Sequence, residues 1–189
     1  MRLIKNKEEA TIAVEVLAET YANAPNISWM FEQSRGNLQS LFGMLVKDAI
    51  KKESAYLTSN NYGVLLLYDL EAKHFSLSII LRKLHLILFV MGIRKSLQVM
   101  RLNQLKRQRR PETGYYGSVL AIKDNESRWR TVLELKREFS VLSEKLNQPI
   151  YLETTNPRIF SLYEKLGFTQ YHKMKHPYTN LDIYFMKMD

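Results

Sequence analysis

The chain has 189 residues, of which 46% are hydrophobic, and it carries a formal net charge of +9. This length and composition suit one domain spanning residues 1–189 with a packed core, and they argue against a disordered chain or two domains. The chain contains no cysteine, which excludes disulfides, a cysteine nucleophile and thiolate metal sites. The absence of cysteine fits the cytoplasm, which is the compartment that we expect.

Neither a signal peptide nor a membrane span is expected from the hydrophobic pattern. The N-terminal segment contains acidic residues and has no continuous apolar core. The most apolar run, "LHLILFVMGI" at 84–93, is about half as long as a bilayer span requires. We therefore expect no transmembrane segment.

The first half of the chain is predicted to be mostly helical, with one hairpin. Apolar residues recur there at steps of three and four, which is the period of one buried helix face. The predicted elements are helices at 8–22 and 36–52, strands at 54–59 and 62–70, and a helical pair at about 76–108. Asn60 and Asn61 separate the two strands and are typical turn residues, so the strands should form a hairpin.

Much of the excess positive charge lies between residues 94 and 110, in "RKSLQVMRLNQLKRQRR". The simplest interpretation is a helix with a solvated basic face. An anionic cofactor or an acidic partner is the alternative. Nucleic-acid binding is not expected, because no helix-turn-helix, zinc or RNA-recognition signature accompanies the charge.

Strands and helices alternate in the second half. The predicted elements are a strand at 115–123, a helix at 127–146, a strand at 149–153, a helix beginning at Pro157, and closing strands at 168–174 and 181–188. A long helix between the first two strands makes them parallel, and ligands are then expected at their C-terminal ends. The fold class is α/β, with a mixed central sheet and flanking helices.

The segment "YLETTNPRIFSLYEKLGF" at 151–168 predicts a strand, a short helix and another strand. Asn156 offers a side-chain oxygen to the first helical N–H groups, and Pro157 suits the first helical position. Gly167 stands where a left-handed C-terminal cap would fall. Asn156 and Tyr163 are two helical turns apart and can face one cleft.

Together with the two residues before it, this segment resembles the last conserved block of the GNAT superfamily of N-acetyltransferases. The stretch "LAETYANAPNISWMF" is also similar to the start of one small GNAT subfamily, and the order of helices and strands matches its layout. The resemblance covers nearly the whole chain, although only 149–168 is specific by itself. It implies acetyl transfer from acetyl-coenzyme A (acetyl-CoA) to an unidentified amine acceptor by direct attack.

The resemblance also implies where acetyl-CoA binds. The cofactor would lie in a V-shaped gap between the strands at 117–122 and 149–153. Its pantetheine arm would pair with the backbone of Ala121 and Ile122, and Asn156 would contact the same arm.

Tyr163 would protonate the departing thiolate, because a hydroxyl within hydrogen-bond reach of sulfur can stabilise it as the bond breaks. The alternative is structural: Tyr163 fills the apolar face of its helix with Ile159, Leu162 and Leu166.

The loop expected to bind the pyrophosphate departs from the GNAT pattern. That pattern has glycines whose bare N–H groups hold the phosphates, whereas "NESRWRTVLEL" has none. Arg128, Arg130 and Thr131 at the helix start are the cofactor-binding candidates, with the arginines adding charge-assisted bonds. Alternatively, Trp129 and the arginines fill the groove. The chain would then be a degenerate, non-catalytic protein of this fold that binds a partner or acts as a scaffold through its basic surface. A third interpretation leaves the arginines solvated, without a ligand.

Glu153 is the candidate general base, because it ends the second strand of the gap. It could equally cap the following helix. Strand alternation places Tyr151 and Glu153 on one face and leaves open which face meets the cleft. Asp124 and Glu126 also lie near the expected cleft, but the helix dipole alone favours acids there.

His172 and His176 are expected to be structural or surface residues, because they lie in a strand and turn rather than on a helix. We predict no metal site. The sequence leaves the oligomeric state open, a homo-oligomer included.

Overall fold

A computed structural model of the chain describes residues 1–22, 24, 27, 29, 35–72, 92–123, 126 and 128–189. The helices are α1 (Lys7–Tyr21), α2 (Arg35–Lys51), α3 (Gly92–Arg107), α4 (Arg128–Leu146) and α5 (Pro157–Leu166). The strands are β1 (Arg2–Leu3), β2 (Ala55–Leu57), β3 (Gly63–Asp69), β4 (Tyr115–Ile122), β5 (Ile150–Thr154), β6 (Thr169–Lys175) and β7 (Asp182–Met188). The predicted helix at 76–91 lies outside the described residues.

The strands form one seven-stranded mixed sheet in the order β1-β2-β3-β4-β5-β7-β6. Only the β4–β5 pair is parallel, and α4 connects these two strands, as the strand-helix-strand pattern predicts. The hairpin predicted around Asn60 and Asn61 is the antiparallel β2–β3 pair. The predicted α/β class with a mixed sheet and flanking helices is confirmed.

Helices cover both faces of the sheet. On one face, α1 and α2 bury Leu17 and Phe42 against β2 and β3. On the other face, α4 and α5 bury Phe139 and Leu166 against β4, β5 and β7. Helix α3 lies on the first face, where Leu102 packs against Ile183 and Phe185 of β7. The end of β5 is therefore enclosed between two helical layers.

The caps predicted for α5 are present. The Asn156 side chain accepts a hydrogen bond from the backbone N–H of Arg158 at 2.9 Å, and Pro157 is the first helical residue. Gly167 has φ of 104°, a left-handed conformation that glycine adopts without steric cost, and its N–H donates to Glu164. These caps fix where α5 begins and how it turns into β6.

The basic segment differs from its simplest interpretation. Arg94, Arg101 and Arg107 are exposed, as a solvated basic face requires. However, the helix ends at Arg107, and Arg110 turns inward after it toward the end of β5. The apolar positions Leu97 and Met100 of α3 are about 60% exposed, so they do not form its buried stripe.

Among the described helices, none combines the length and the apolar character needed to cross a membrane.

Candidate active site

The parallel strands β4 and β5 pair only at their first residues and then diverge. Their register runs from Tyr115 opposite Ile150 to Gly117 opposite Leu152 and goes no further. Beyond this point β4 continues to Ile122, paired on its other side with β3. A gap therefore opens between the C-terminal ends of the two parallel strands, where ligands are expected in such sheets.

A β-bulge at Ser118 coincides with the point of divergence. Leu66 of β3 pairs with Val119, whereas Leu67 pairs with Gly117, so Ser118 is the extra residue. Bulges bend the strand that carries them and are common beside active sites. Gly117 contributes in a second way, because a Cβ atom there would collide with the side chain of Leu152. The glycine lets the strands approach closely just before the bulge separates them.

The β3–β4 register determines which backbone groups of β4 face the gap. The N–H of Lys123 donates to the carbonyl of Tyr62 at 2.8 Å, so this is a hydrogen-bonded pair. Because such pairs alternate along antiparallel strands, Ala121 is bonded to β3, whereas Leu120 and Ile122 face the gap. The backbone of Ala121 is therefore engaged by β3, whereas the backbone groups of Leu120 and Ile122 are directed into the gap. The pantetheine contact predicted for Ala121 and Ile122 stays a prediction.

Helix α1 reaches the same gap through Tyr21. The Tyr21 hydroxyl donates a hydrogen bond to the carbonyl oxygen of Leu120 at 3.0 Å. This contact leaves the N–H of Leu120 as its gap-facing donor.

Tyr163 lies in the core between α5 and the sheet. Its side chain is 4% exposed, and its ring lies 5.8 Å from that of Phe168. Burial raises the pKa of its hydroxyl well above the ordinary value, with a smaller contribution from Tyr21. No hydrogen bond joins this hydroxyl to another residue within the described part of the chain. Tyr163 therefore fills the apolar face of its helix, which is the structural alternative. Its hydroxyl is also protonated and has no hydrogen-bond partner among the described residues.

Asn156 is exposed at the N-terminus of α5, where β5 ends. Its side-chain oxygen is used by the helix cap, which leaves its amide N–H groups as the atoms that could contact pantetheine.

Glu153 is buried in a cluster of opposite charges. Its Oε1 lies 2.6 Å from Nε of Arg110, and its Oε2 lies 2.7 Å from Nζ of Lys106. Arg110 also donates to the hydroxyl of Tyr116 at 2.6 Å. Burial by itself raises the pKa of Glu153, but the two cations outweigh burial and hold that pKa below its ordinary value. Glu153 consequently stays ionised and is a weak proton acceptor, and it does not cap α5.

The start of α4 presents two arginines and an exposed tryptophan. Arg128 and Arg130 are exposed, and Trp129 is 66% exposed, so the tryptophan does not fill a groove. Val132 of the same helix packs into the core. Positive side chains near the N-terminal end of a helix lie close to the positive end of its dipole, where an anion is favoured.

Thr131 is placed differently from the two arginines. Its side chain is fully buried, and its hydroxyl accepts a hydrogen bond from the Asn60 amide at 2.9 Å. Thr131 thereby ties α4 to the β2–β3 turn, and its part in cofactor binding stays a prediction. Before α4, Asp124 lies outside the described residues, whereas Glu126 is described and exposed.

His176 is buried in the turn after β6, and His172 packs beside Phe185, so neither is a metal ligand of the kind that pairs on a helix. Among the described residues, no group of three or more histidine, aspartate or glutamate side chains could hold a metal.

Sequence reasoning missed several residues of the site. Ser118 carries no signal, because a bulge depends on how the partner strand pairs. Tyr21 falls within the predicted helix at 8–22, but nothing in the sequence predicts its hydrogen bond to Leu120. It also counted Lys106 and Arg110 within the basic run, although a carboxylate at the end of a predicted strand could have suggested a cationic partner.

No family model and no curated protein sequence matches the chain. Solved structures do match it. The C-terminal condensation domain of Ebony in complex with beta-alanyl-dopamine aligns with a TM-score of 0.69 at 8% identity, covering 99% of each chain. Arylalkylamine N-acetyltransferase 2 from Aedes aegypti aligns with a TM-score of 0.60 at 12% identity, covering 99% of this chain and 96% of the other.

An acetyltransferase of the GNAT family from Desulfovibrio desulfuricans aligns with a TM-score of 0.55 at 13% identity, covering 100% of this chain and 96% of the other. The chain has the GNAT fold. At these identities the likeness concerns the fold alone, and the chemistry of the GNAT-fold site must be argued from the residues of this chain.

Proposed function

We propose that the protein is an acetyl-CoA-dependent N-acetyltransferase that transfers the acetyl group directly to an amine. One observation carries the proposal: β4 and β5 diverge at the Ser118 bulge, and the gap is lined by the backbone of Leu120 and Ile122. The amide groups of a pantetheine arm can pair with such a strand edge as a neighbouring strand would.

Three groups would hold acetyl-CoA. The N–H groups of Leu120 and Ile122 pair with pantetheine, and the side-chain amide of Asn156 contacts the same arm. Arg128 and Arg130 bind the pyrophosphate together with the N–H groups at the start of α4. Because arginines stand where glycines are usual, phosphate binding here depends on side-chain charge and should be sensitive to salt.

Tyr163 would act at the sulfur. The amine nitrogen attacks the thioester carbonyl carbon, a C–N bond forms, and the C–S bond breaks with its electron pair passing to sulfur. The Tyr163 hydroxyl donates its proton to that sulfur, and the amine proton passes to water. Since burial raises the pKa of Tyr163, the hydroxyl is protonated at any working pH.

Glu153 was predicted to be the general base, and that role remains a prediction. Two cations engage the carboxylate and lower its pKa, which makes it a poor proton acceptor at neutral pH. A positioning role fits the contacts better, since Glu153 fixes Arg110 and Lys106 beside the end of β5.

The second candidate function is that of a non-catalytic binding module with a GNAT fold. The glycine-free start of α4 favours it, as does the exposed face that combines Trp129 and Leu133 with Arg130 and Arg137. Such a face suits an acidic partner.

Thiol release tests the two functions against each other. The protein has no cysteine, so a thiol-specific reagent reports coenzyme A and no protein thiol, and a reaction without amine gives the background from hydrolysis. Acetyl-CoA and a panel of amines with the wild-type protein should release thiol, and Tyr163→Phe should release it more slowly. Saturable binding of acetyl-CoA without thiol release from any amine would favour the binding module.

A further inference from the structure

Two aromatic rings beside the end of β6 each bury an N–H group that has no hydrogen-bond partner in the described part of the chain. The rings of Trp29 and His176 lie 5.0 Å apart, edge to face, and Tyr178 stacks on Trp29 at 5.7 Å. His176 is 4% exposed. Neither Nε1 of Trp29 nor Nε2 of His176 has a hydrogen-bond partner among the described residues. Buried polar atoms without partners are costly and rare in folded proteins.

Both unpaired atoms are donors. Nδ1 of His176 accepts a hydrogen bond from the backbone N–H of Tyr178 at 3.2 Å, so the proton of the neutral ring is on Nε2. Burial lowers the pKa of His176, and the Lys106 ammonium lowers it further, which keeps the ring neutral. The pair therefore offers two neighbouring N–H groups and no acceptor.

Two positive charges lie near the pair. Nζ of Lys95 lies 5.3 Å from the centre of the Trp29 ring, and Lys106 is close enough to His176 to affect its titration. Glu153 is also near Lys106, but both of its oxygens are already paired with cations. Two N–H donors in a positive environment bind an oxygen acceptor that carries negative charge.

We propose that Trp29 and His176 bind the carboxylate of the acceptor, and that the acceptor is a small amine that also carries a carboxylate. This inference rests on the proposed function. Helix α3 connects the pair to the end of β5, because Leu102 packs in one cluster with Trp29 and Lys106, one turn further along the helix, pairs with Glu153 at 2.7 Å. Under this proposal the amine of the bound acceptor lies on the side of the pair that faces this end of β5.

The two tryptophans of the chain allow a direct test by NMR, because Trp29 is the one in the pair and Trp129 is exposed on α4. The indole N–H signals are followed while the protein, saturated with coenzyme A, is titrated with γ-aminobutyrate or with butylamine. The Trp29 signal should move saturably with γ-aminobutyrate and remain in place with butylamine, while the Trp129 signal stays unchanged. Trp29→Phe assigns the two signals.

Histidine variants test the second donor. His176→Phe keeps an aromatic ring and removes the Nε2 donor, so it should weaken γ-aminobutyrate binding about tenfold or more, as loss of a hydrogen bond to a charged group does. His172→Phe, a matched change outside the pair, should bind γ-aminobutyrate as the wild type does.

Three results would overturn the proposal: equal movement of the Trp29 signal by butylamine, no movement by either ligand, or unchanged γ-aminobutyrate affinity in His176→Phe. Calorimetry with acetyl-CoA on the same protein distinguishes failure of the carboxylate site from failure of the proposed acetyltransferase function. If acetyl-CoA does not bind while the carboxylate-dependent shift persists without coenzyme A, the carboxylate site stands and the acetyltransferase function falls.

Discussion

The hydroxyl of Tyr21 donates to the carbonyl oxygen of Leu120 at 3.0 Å, which ties α1 to the strand that forms one wall of the gap. Burial raises the pKa of Tyr21 to about 12, so the hydroxyl remains a donor at working pH. On the other side of the sheet, the buried Tyr163 hydroxyl has no hydrogen-bond partner among the residues that the structure describes. The two tyrosines should therefore respond in opposite ways to the same substitution.

Tyr21→Phe should cost about 1 kcal/mol of unfolding free energy, because the carbonyl of Leu120 loses a partner. Tyr163→Phe should change stability by less than about 0.5 kcal/mol, since its hydroxyl makes no hydrogen bond to lose. Turnover should reverse the order: Tyr163→Phe should lower kcat about a hundredfold, and Tyr21→Phe should retain most of it. Urea unfolding and the thiol-release assay give both quantities. Wild-type turnover in Tyr163→Phe would show that Tyr163 is not the acid.

Gly117→Ala should destabilise the protein by about 1–3 kcal/mol, the usual cost of adding volume to a packed interior. The added Cβ collides with Leu152 where β4 and β5 last pair. Gly43→Ala is the matched control, because nothing lies within 4 Å of the added atom and the position is inside α2. It should stabilise the protein by about 0.5–1 kcal/mol. Equal stability of the two variants would refute the role assigned to Gly117.

Glu153→Gln should lower the free energy of unfolding by about 3 kcal/mol or more. The substitution leaves the ammonium of Lys106 and the guanidinium of Arg110 beside an uncharged group in a buried site. Asp189→Asn removes an exposed partner of Lys187 and should cost less than about 0.5 kcal/mol. Urea unfolding at neutral pH compares the two variants. A decrease in unfolding free energy below about 1 kcal/mol in Glu153→Gln is what an exposed ion pair would give. That result would contradict the claim that Glu153 is held in a buried cluster of charges.

The same cluster predicts a pH dependence. The pKa of Glu153 in the folded protein lies below the ordinary value of 4.5, because Lys106 and Arg110 outweigh the effect of burial. Its stabilising contribution is therefore fully present above about pH 4.5 and is lost as the pH falls through the folded-state pKa. Wild-type stability should decline more steeply with acid than that of Glu153→Gln. An equal loss of stability on acidification in the two proteins would contradict this assignment.

Arg130→Gln should weaken acetyl-CoA binding about threefold to tenfold at low salt, as expected for an exposed charge on a phosphate. Arg137→Gln, two turns further along α4, serves as the control and should bind acetyl-CoA as the wild type does. Added salt should reduce the difference between the two variants. Equal affinities at low salt would exclude Arg130 from the phosphate site.

Local chemistry in the sequence was sufficient to predict some parts of the site. Each cap of α5 depends only on the cap residue and the adjacent helical turn. The residue types of Asn156 and Gly167 are therefore enough to predict the two caps. The parallel β4–β5 pair follows from the long helix between the strands.

Other parts depend on pairing between distant segments. The bulge at Ser118 is defined by its register with β3, and it affects which β4 residues face the gap, where the register places the backbone groups of Leu120 rather than those of Ala121. Arg110 meets Glu153 across 43 residues, so no local pattern links them. The exposure of Trp129 and the burial of Thr131 likewise depend on how α4 docks against the β2–β3 turn.

Hydrogen exchange at individual backbone amides, measured by NMR with and without acetyl-CoA, tests the central claim most directly. Acetyl-CoA in the gap should slow exchange at Leu120 and Ile122, with saturation at one equivalent, and should leave Ala121 unchanged because its N–H is already bonded to β3. Unchanged exchange at Leu120 and Ile122 in a folded protein with excess acetyl-CoA would contradict the account.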